Sequence, residues 1–454
     1  MPAAVDLLIE ARWIVPVEPD GAVLREHAVV VDGGKIMSVL PAAEARIAYV
    51  PRERIELPEH ALIPGLVNAH THNPMTLMRG LADDLPLMRW LTEHVWPAEA
   101  KVVSAEFVRD GVELAVAEML RGGTTCCNEN YFFPDAQAAA YRRLEFRALI
   151  GLPIIDFPSA WATTPDEYFD KALAVHDEYN DDELIATAFG PHAPYTVSDA
   201  SLERIRLLSD QLDLPVHMHV HETAQEIEDS RREHGLRPFA RLKRLGLVND
   251  HLIAVHMTQV TDSERDACAQ AGVSVVHCAE SNMKLASGLC PVEALRQAGV
   301  NVAIGTDGCA SNNDLDMFGE MRSAALLAKA VAEDASAMNA GATLRAATLN
   351  GARALGWEDR IGSIQPGKQA DLTAVRLDAI ETQPLYDVIS QLIYATGRQQ
   401  VTDVWIGGRH KLRDRVLVDL DPVELMSNAV RWRNRLRGEA ATGSAGTTRA
   451  ATAS

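Results

Sequence analysis

Positive charge is the first thing this sequence is short of. Its 43 lysines and arginines stand against 63 aspartates and glutamates, a formal net charge of −20. A chain so acidic does not hold nucleic acid or an anionic membrane through bulk electrostatics. One pocket can still differ in sign from the surface around it. Cysteine is scarce as well: the six present, Cys126, Cys127, Cys268, Cys278, Cys290 and Cys309, form no CxxC pair and no disulfide framework. No apolar run reaches the length that crosses a bilayer. Asp6, Glu10 and Arg12 interrupt the apolar residues near the start, with no basic segment before them, so a signal peptide is not expected. A reducing, cytoplasmic setting without a membrane or nucleic-acid partner is the expectation.

What is present is a core. Hydrophobic residues make up 47% of the 454 positions. The first sixty read as strands, "DLLIEARWIVPV", "HAVVVDGGKIMSVL" and "ERIELPEHALIPGLV", with "VDGGK" as a hairpin turn. The far end offers "GSIQPGKQADLTAVRL" and "VTDVWIGGRHKLRDRVLV". Neither block buries a core alone, so residues 1–61 and 369–424 are expected to pair into one small β-sandwich. Between them the pattern alternates. "RALIGLPII", "ELIATAFGP", "LPVHMHVHE", "HLIAVHM", "VSVVHCA" and "VNVAIGTDG" read as strands, and "SDASLERIRLLSDQLD", "GLRPFARLKRLGL" and "TDSERDACAQAG" as helices. Strand and helix repeated this often mean a parallel sheet covered by helices. A (β/α)8 TIM-type barrel over residues 62–368 is the leading α/β architecture. An open doubly wound sheet comes second, because no GxGxxG follows an early strand. Residues 425–454 are expected to form a C-terminal helix and a disordered tail.

Barrel enzymes carry their chemistry at the C-terminal ends of strands, and more than half of the 15 histidines fall at such places. His70 and His72 close "GLVNAHTH", His192 follows "ATAFGP", and His217, His219, His221 and Glu222 end "LPVHMHVHE". His256, His277 and Asp307 end the next three strands. Alternating histidines share one side of a strand, and imidazoles gathered there are a metal half-site or a costly packing choice. Taken singly, several have ordinary readings. His217 is expected to serve the core, His277 is equally a scaffold residue, and His94, His176, His234 and His410 are expected at the surface. His-x-His, a later His and an Asp supply three nitrogens and one carboxylate oxygen. That set suits Zn²⁺ with a place left for water, and it would also accept Fe²⁺ or Mn²⁺. Glu222, three residues after His219, is a carboxylate placed to move protons.

Five motifs in order, "PGLVNAHTH", "GPHAPYTVS", "HMHVHET", "HCAESNMKLASG" and "IGTDG", resemble the amidohydrolase superfamily, in its branch of adenosine-type and chlorohydrolase-like deaminases. The insert "MTLMRGLADDLPLMRWLTEHVWPAEA" narrows the likeness to bacterial 5′-methylthioadenosine/S-adenosylhomocysteine deaminases. The resemblance spans nearly the whole chain, the tail excepted. It implies one divalent metal held by His70, His72, His219 and Asp307, with His219 chosen over His217 and His221 because the family's metal His precedes a Glu by three residues. It further implies that Glu222 protonates the purine N1, that His256 and Asp307 orient the attacking water, that His192 contacts the purine, and that Glu99 grips the ribose hydroxyls. Trp90 reads as a pocket wall or as core. The implied partner is a purine nucleoside, and such barrels are often homo-oligomers.

Two departures from the family stand out. Members that take S-adenosylhomocysteine are expected to bind its carboxylate with arginines after the third barrel strand, yet Ala148 to Asp170 holds no Lys or Arg, and Arg147 precedes the strand. The neutral thioether 5′-methylthioadenosine is therefore the expected substrate, with Ile155, Phe157 and Trp161 as candidates to line an apolar pocket. Glu129 also stands where the family commonly has Asp. The nearest rival is a deaminase of a free base or other heterocycle (guanine, pterin, cytosine, s-triazine), for which Glu99 would have no purpose. A rival of another class is a non-catalytic scaffold protein, which would have no reason to keep every expected ligand.

Overall fold

The computed structural model describes residues 2–438. The expected tail, "GEAATGSAGTTRAATAS", lies outside the described residues except for Gly438, so its expected disorder is not addressed. Among the described residues sixteen strands form two sheets of eight.

The first sheet begins with β1 (Ala3–Ile14), β2 (Leu24–Asp32), β3 (Lys35–Pro41) and β4 (Tyr49–Pro64). Asp32 pairs with Lys35 across Gly33 and Gly34. Both glycines have positive φ, 54° and 78°, as the tight hairpin turn foreseen at "VDGGK" demands. A short helix, Ala42–Ala48, sits between β3 and β4. Sequence reading passed over it, because seven residues cannot show a period.

The second sheet is the barrel: β5 (Leu66–Thr71), β6 (Thr124–Asn130), β7 (Arg147–Ile154), β8 (Ile185–Pro191), β9 (Val216–Val220), β10 (Leu252–His256), β11 (Ser274–His277) and β12 (Asn301–Ile304). They pair in parallel, each with the next in sequence. Helices lie between them, several opened as the sequence predicts. Ser198 caps Asp199–Leu212, and Thr261 with Glu264 forms a capping box on Asp262–Ala271, which Gly272 ends. Closure between β12 and β5 is local. The Asp307 N–H donates to the His70 carbonyl (3.0 Å), and the Asn68 side chain clasps Thr306 through its N–H (2.9 Å) and hydroxyl (2.7 Å). Gly305 permits this approach, since a Cβ there would stand 2.7 Å from the His70 nitrogen.

The chain then returns to the first sheet with β13 (Leu372–Arg376), β14 (Val401–Ile406), β15 (Arg409–Arg413) and β16 (Val416–Leu417), ordered β16-β15-β14-β13-β4-β1-β2-β3. Both ends thus share one sheet, joined where β13 runs antiparallel to β4. A buried ion pair ties the sheets together: Arg147, opening β7, meets Asp371 at 2.8 Å, and each side chain is only 2% exposed. A final helix, Pro422–Arg437, packs on helices Ala105–Arg121 and Trp96–Val102. No helix among the described residues is long and apolar enough to cross a membrane.

Candidate metal centre and active-site cavity

β5 and β9 bring their histidines together at the strand ends. One ligand atom from each of His70, His72, His219 and Asp307 lies within 4.8 Å of the others. The Nε2 atom of His219 is 3.2 Å from those of His72 and His70, and Asp307 Oδ1 is 3.3 Å from Nε2 of both His70 and His72. The backbone bends sharply here, with φ of 55° at His221, 76° at His256 and 65° at Asp307. Such conformations cluster at functional sites because the surrounding structure must enforce them.

The outer nitrogens decide what the inner ones can do. His72 Nδ1 faces the Asn130 carbonyl at 2.5 Å, and His219 Nδ1 faces the His192 carbonyl at 2.6 Å. A carbonyl only accepts, so both rings carry their proton on Nδ1 and present a bare Nε2. His70 Nδ1 meets Nε2 of His217 at 2.8 Å. Burial, with the charge of His70 beside it, pushes the His72 imidazole down to about 4, and burial holds His219 well below its ordinary value. Both are therefore neutral near pH 7. Two bare lone pairs 3.2 Å apart, with a carboxylate oxygen beside them, repel unless a cation lies between. The donor set of three imidazole nitrogens and one oxygen fits Zn²⁺.

Asp307 is oriented just as firmly. Oδ2 accepts from the Ser281 hydroxyl (2.6 Å) and the Ser311 hydroxyl (2.8 Å), and Oδ1 from the Gly308 N–H (2.8 Å). Burial acts to raise its carboxyl, but the hydrogen bond and charge of His70, with His72 and His256, hold it well below the usual carboxylate range.

His72, His219 and Asp307 line a cavity of about 500 Å³ that also carries Glu222, His256, His192, Glu99 and Trp90. Burial drives the Glu222 carboxyl well above its ordinary value, with Asp307 and Glu226 adding to the shift. Its Oε2 is 3.9 Å from His256 Nε2. Glu99 Oε1 accepts from the Tyr131 hydroxyl at 2.7 Å, and burial pushes this carboxyl up to about 7. Trp90, left open as wall or core, lines the cavity and is itself buried. Ile155 and Phe157 reach the cavity, whereas Trp161 does not: its indole N–H donates to Asp135 at 3.2 Å and its ring packs near Tyr168. No lysine or arginine is among the described residues lining the cavity.

Several side chains take roles that their sequence setting hid. His217 was expected to serve the core, and its nitrogen braces His70. His176, expected at the surface, is buried against Thr187 at 2.8 Å, and His410 is half-buried, stacked on Trp405. His94 and His234 are exposed as expected. His277 is buried and its ring finds no hydrogen-bond partner among the described residues. Glu129 does not reach the cavity. It accepts from the Asn73 N–H (2.9 Å) and the Tyr141 hydroxyl (2.9 Å), and so anchors the turn after His72. Asn130, Ser281, Ser311 and Asn282, none of them singled out in the sequence, complete the bracing.

Comparison with known proteins adds the following. The sequence profile of the amidohydrolase family matches residues 61–411. A 5-methylthioadenosine/S-adenosylhomocysteine deaminase of Teredinibacter turnerae is 48% identical over 432 residues, spanning 95% of this chain and 98% of that protein. One of Thermodesulfovibrio yellowstonii is 38% identical over 435 residues, 95% and 98% of the two chains. Among solved structures, an adenosine deaminase from Xanthomonas campestris with bound zinc superposes with a TM-score of 0.96 at 65% identity, covering 96% of this chain and all of that one. An atrazine chlorohydrolase from Arthrobacter aurescens reaches a TM-score of 0.87 at 22% identity, covering 94% and 99%, a likeness of fold alone.

Proposed function

The chain belongs to the amidohydrolase family, and on that premise we propose that it is a metal-dependent deaminase that replaces the C6 amino group of an adenosine-type nucleoside with oxygen. Its preferred substrate is 5′-methylthioadenosine, with S-adenosylhomocysteine and adenosine as lesser ones. The observation that carries this reading is the meeting of four ligand atoms within 4.8 Å beside a cavity that also holds the buried carboxyl of Glu222. His70, His72 and His219 through Nε2 and Asp307 through Oδ1 are the groups to hold Zn²⁺, or Fe²⁺ or Mn²⁺ in its place. Bound there, the ion supplies the Lewis acidity that makes water a nucleophile at neutral pH. On the same reading residues 62–368 are the catalytic barrel, accompanied by a smaller domain from residues 1–61 and 369–424.

Side chains manage the protons. Water adds across C6 and N1. Glu222 gives its proton to N1, so that negative charge does not build up on the ring, and takes one from the attacking water. His256 donates a hydrogen bond to the oxygen arriving at C6. A second transfer carries the new hydroxyl proton to the amino group. The C6–N bond then breaks, ammonia leaves, and the C6 carbonyl of a hypoxanthine nucleoside remains. His192 contacts the purine, Trp90 walls the cavity, and Glu99 accepts from the ribose hydroxyls. A free base would leave that carboxyl its Tyr131 hydrogen bond but no ribose hydroxyl to accept from, which favours the nucleoside over guanine or an s-triazine.

Ile155 and Phe157 line the cavity, which carries no lysine or arginine among the described residues, and the 5′-methylthio group would lie against these two apolar side chains. Arg147 is engaged by Asp371 and is not free for a ligand. The carboxylate of S-adenosylhomocysteine would be desolvated there without compensation. The test is ammonia release by the zinc-loaded enzyme from 5′-methylthioadenosine, S-adenosylhomocysteine, adenosine, guanine and cytosine. The highest kcat/KM is expected for the first. A preference for S-adenosylhomocysteine would overturn the substrate assignment, and no ammonia from any of them would overturn the deaminase reading.

A further inference from the structure

Four histidines crowd this centre, and one is wired in the opposite sense. His72 and His219 turn Nδ1 toward carbonyl oxygens, and His70 turns it toward His217. His256 turns Nδ1 toward the side-chain amide nitrogen of Asn282, 2.9 Å away. In this orientation the amide N–H donates, with Oδ1 of Asn282 finding no partner among the described residues, so Nδ1 of His256 is the bare nitrogen and Nε2 carries the proton. At the other end of the ring Nε2 faces the cavity and the Glu222 carboxyl, with Oε2 at 3.9 Å. The ring is fully buried and lies stacked on His219, 17° between planes.

Asn282 is itself held in place. It sits in the short helix Ala279–Lys284, its N–H donates to the Cys278 carbonyl (3.0 Å), and its own carbonyl accepts from the Ser287 N–H (3.0 Å). The segment belongs to "HCAESNMKLASG", whose other polar members serve elsewhere: Ser281 holds Asp307, and Lys284 bridges Asp83 and Asn313.

We propose that Asn282 is a positioning residue that fixes His256 as the Nε2–H tautomer, so that this one histidine points a donor at the cavity while its neighbours point lone pairs at the metal. The division between ligand and donor is then written in the outer partners, a carbonyl or imidazole acceptor for the three ligands and an amide donor for the fourth. The tautomer rests on the orientation of the Asn282 amide; its catalytic consequence rests on the deaminase reading above. With the wrong tautomer, His256 would face the arriving oxygen with a lone pair and repel it.

The experiment is ¹⁵N-histidine NMR of the zinc-loaded enzyme, with His256 assigned by the signal lost in His256→Gln. His256 is expected to show an unprotonated Nδ1 and a protonated Nε2. A protonated Nδ1 overturns the proposal. Asn282→Asp keeps the shape but offers only acceptors, and there His256 should take a proton on Nδ1. An Nδ1 still bare in that variant would show that Asn282 does not set the tautomer. Asn282→Leu should keep its zinc and lose about 10²-fold in kcat with KM changed by less than about threefold. An unchanged kcat in a folded, zinc-loaded Leu variant counts against the proposal, and if that variant does not fold, the Asp variant and the wild-type spectrum decide. A wild-type enzyme with the expected tautomer but no deaminase activity would sink the proposed function and leave this assignment standing.

Discussion

Glu99→Gln should make the protein more stable and less active at once. Glu99 stands on helix Trp96–Val102 with one oxygen on the Tyr131 hydroxyl and lies in the cavity lining. Burial moves its carboxyl from 4.5 to about 7, with the Tyr131 hydrogen bond acting against the shift. At 1.36 kcal/mol per unit this is a penalty of about 3 kcal/mol on the ionised form. Between pH 4.5 and 7 the folded chain holds a proton that the unfolded chain has released, so stability falls as pH rises through this window, and the full penalty applies above it. Glutamine has the same shape and nothing to ionise. Urea unfolding of the two proteins should therefore show Glu99→Gln ahead by about 1 kcal/mol at pH 5.5 and by about 3 kcal/mol at pH 8. The ribose hydroxyls donate best to a carboxylate, so wild-type kcat/KM should fall as pH drops below about 7, a limb the variant lacks. Loss of a charged hydrogen bond should lower kcat/KM by about 10- to 10²-fold at pH 8. A variant no more stable at pH 8, or one with unaltered kcat/KM, refutes the reasoning.

Glu222→Gln should keep its metal and lose about 10²- to 10⁴-fold in kcat, the range for a lost proton shuttle; a kcat within tenfold of wild type would contradict the role. His217→Phe removes the partner of His70 Nδ1, and competition with a chelator should show zinc held about 10- to 10²-fold more weakly. Arg147→Met strands the buried Asp371 carboxylate between the two sheets, and denaturation should register a loss of about 3–5 kcal/mol with little change in KM.

Much of this is legible in the sequence. Strands β7 to β12 each carry a short apolar run ending in a polar residue, and that pattern located His192, His219, His256 and Asp307. Strand β6 is buried along its whole length, yet five of its seven residues, Thr124, Thr125, Asn128, Glu129 and Asn130, are polar, and such a run reads as a loop. Several of them brace the site: the Asn128 amide donates to the Ala69 carbonyl, Glu129 accepts from the Asn73 N–H, and the Asn130 carbonyl faces His72 Nδ1. The braces were hidden for a related reason. A carbonyl such as that of Asn130 or His192 belongs to no residue type, so composition cannot reveal it, and hydroxyls such as Ser281 and Ser311 are too common to signal anything alone. The motif "HCAESNMKLASG" was conspicuous, but the division of labour within it depends on which way a six-residue helix faces. Trp161 fails to reach the cavity because the loop after β7 turns its indole toward Asp135.

The most direct measurement is metal content and ammonia release, taken on the same preparation before chelation, after it and after zinc is restored. One ion per chain is expected, with activity on 5′-methylthioadenosine lost and recovered in step with it, and with both absent from a folded His219→Ala variant. Full activity in a preparation free of metal, or a full complement of metal in that variant, would contradict the account.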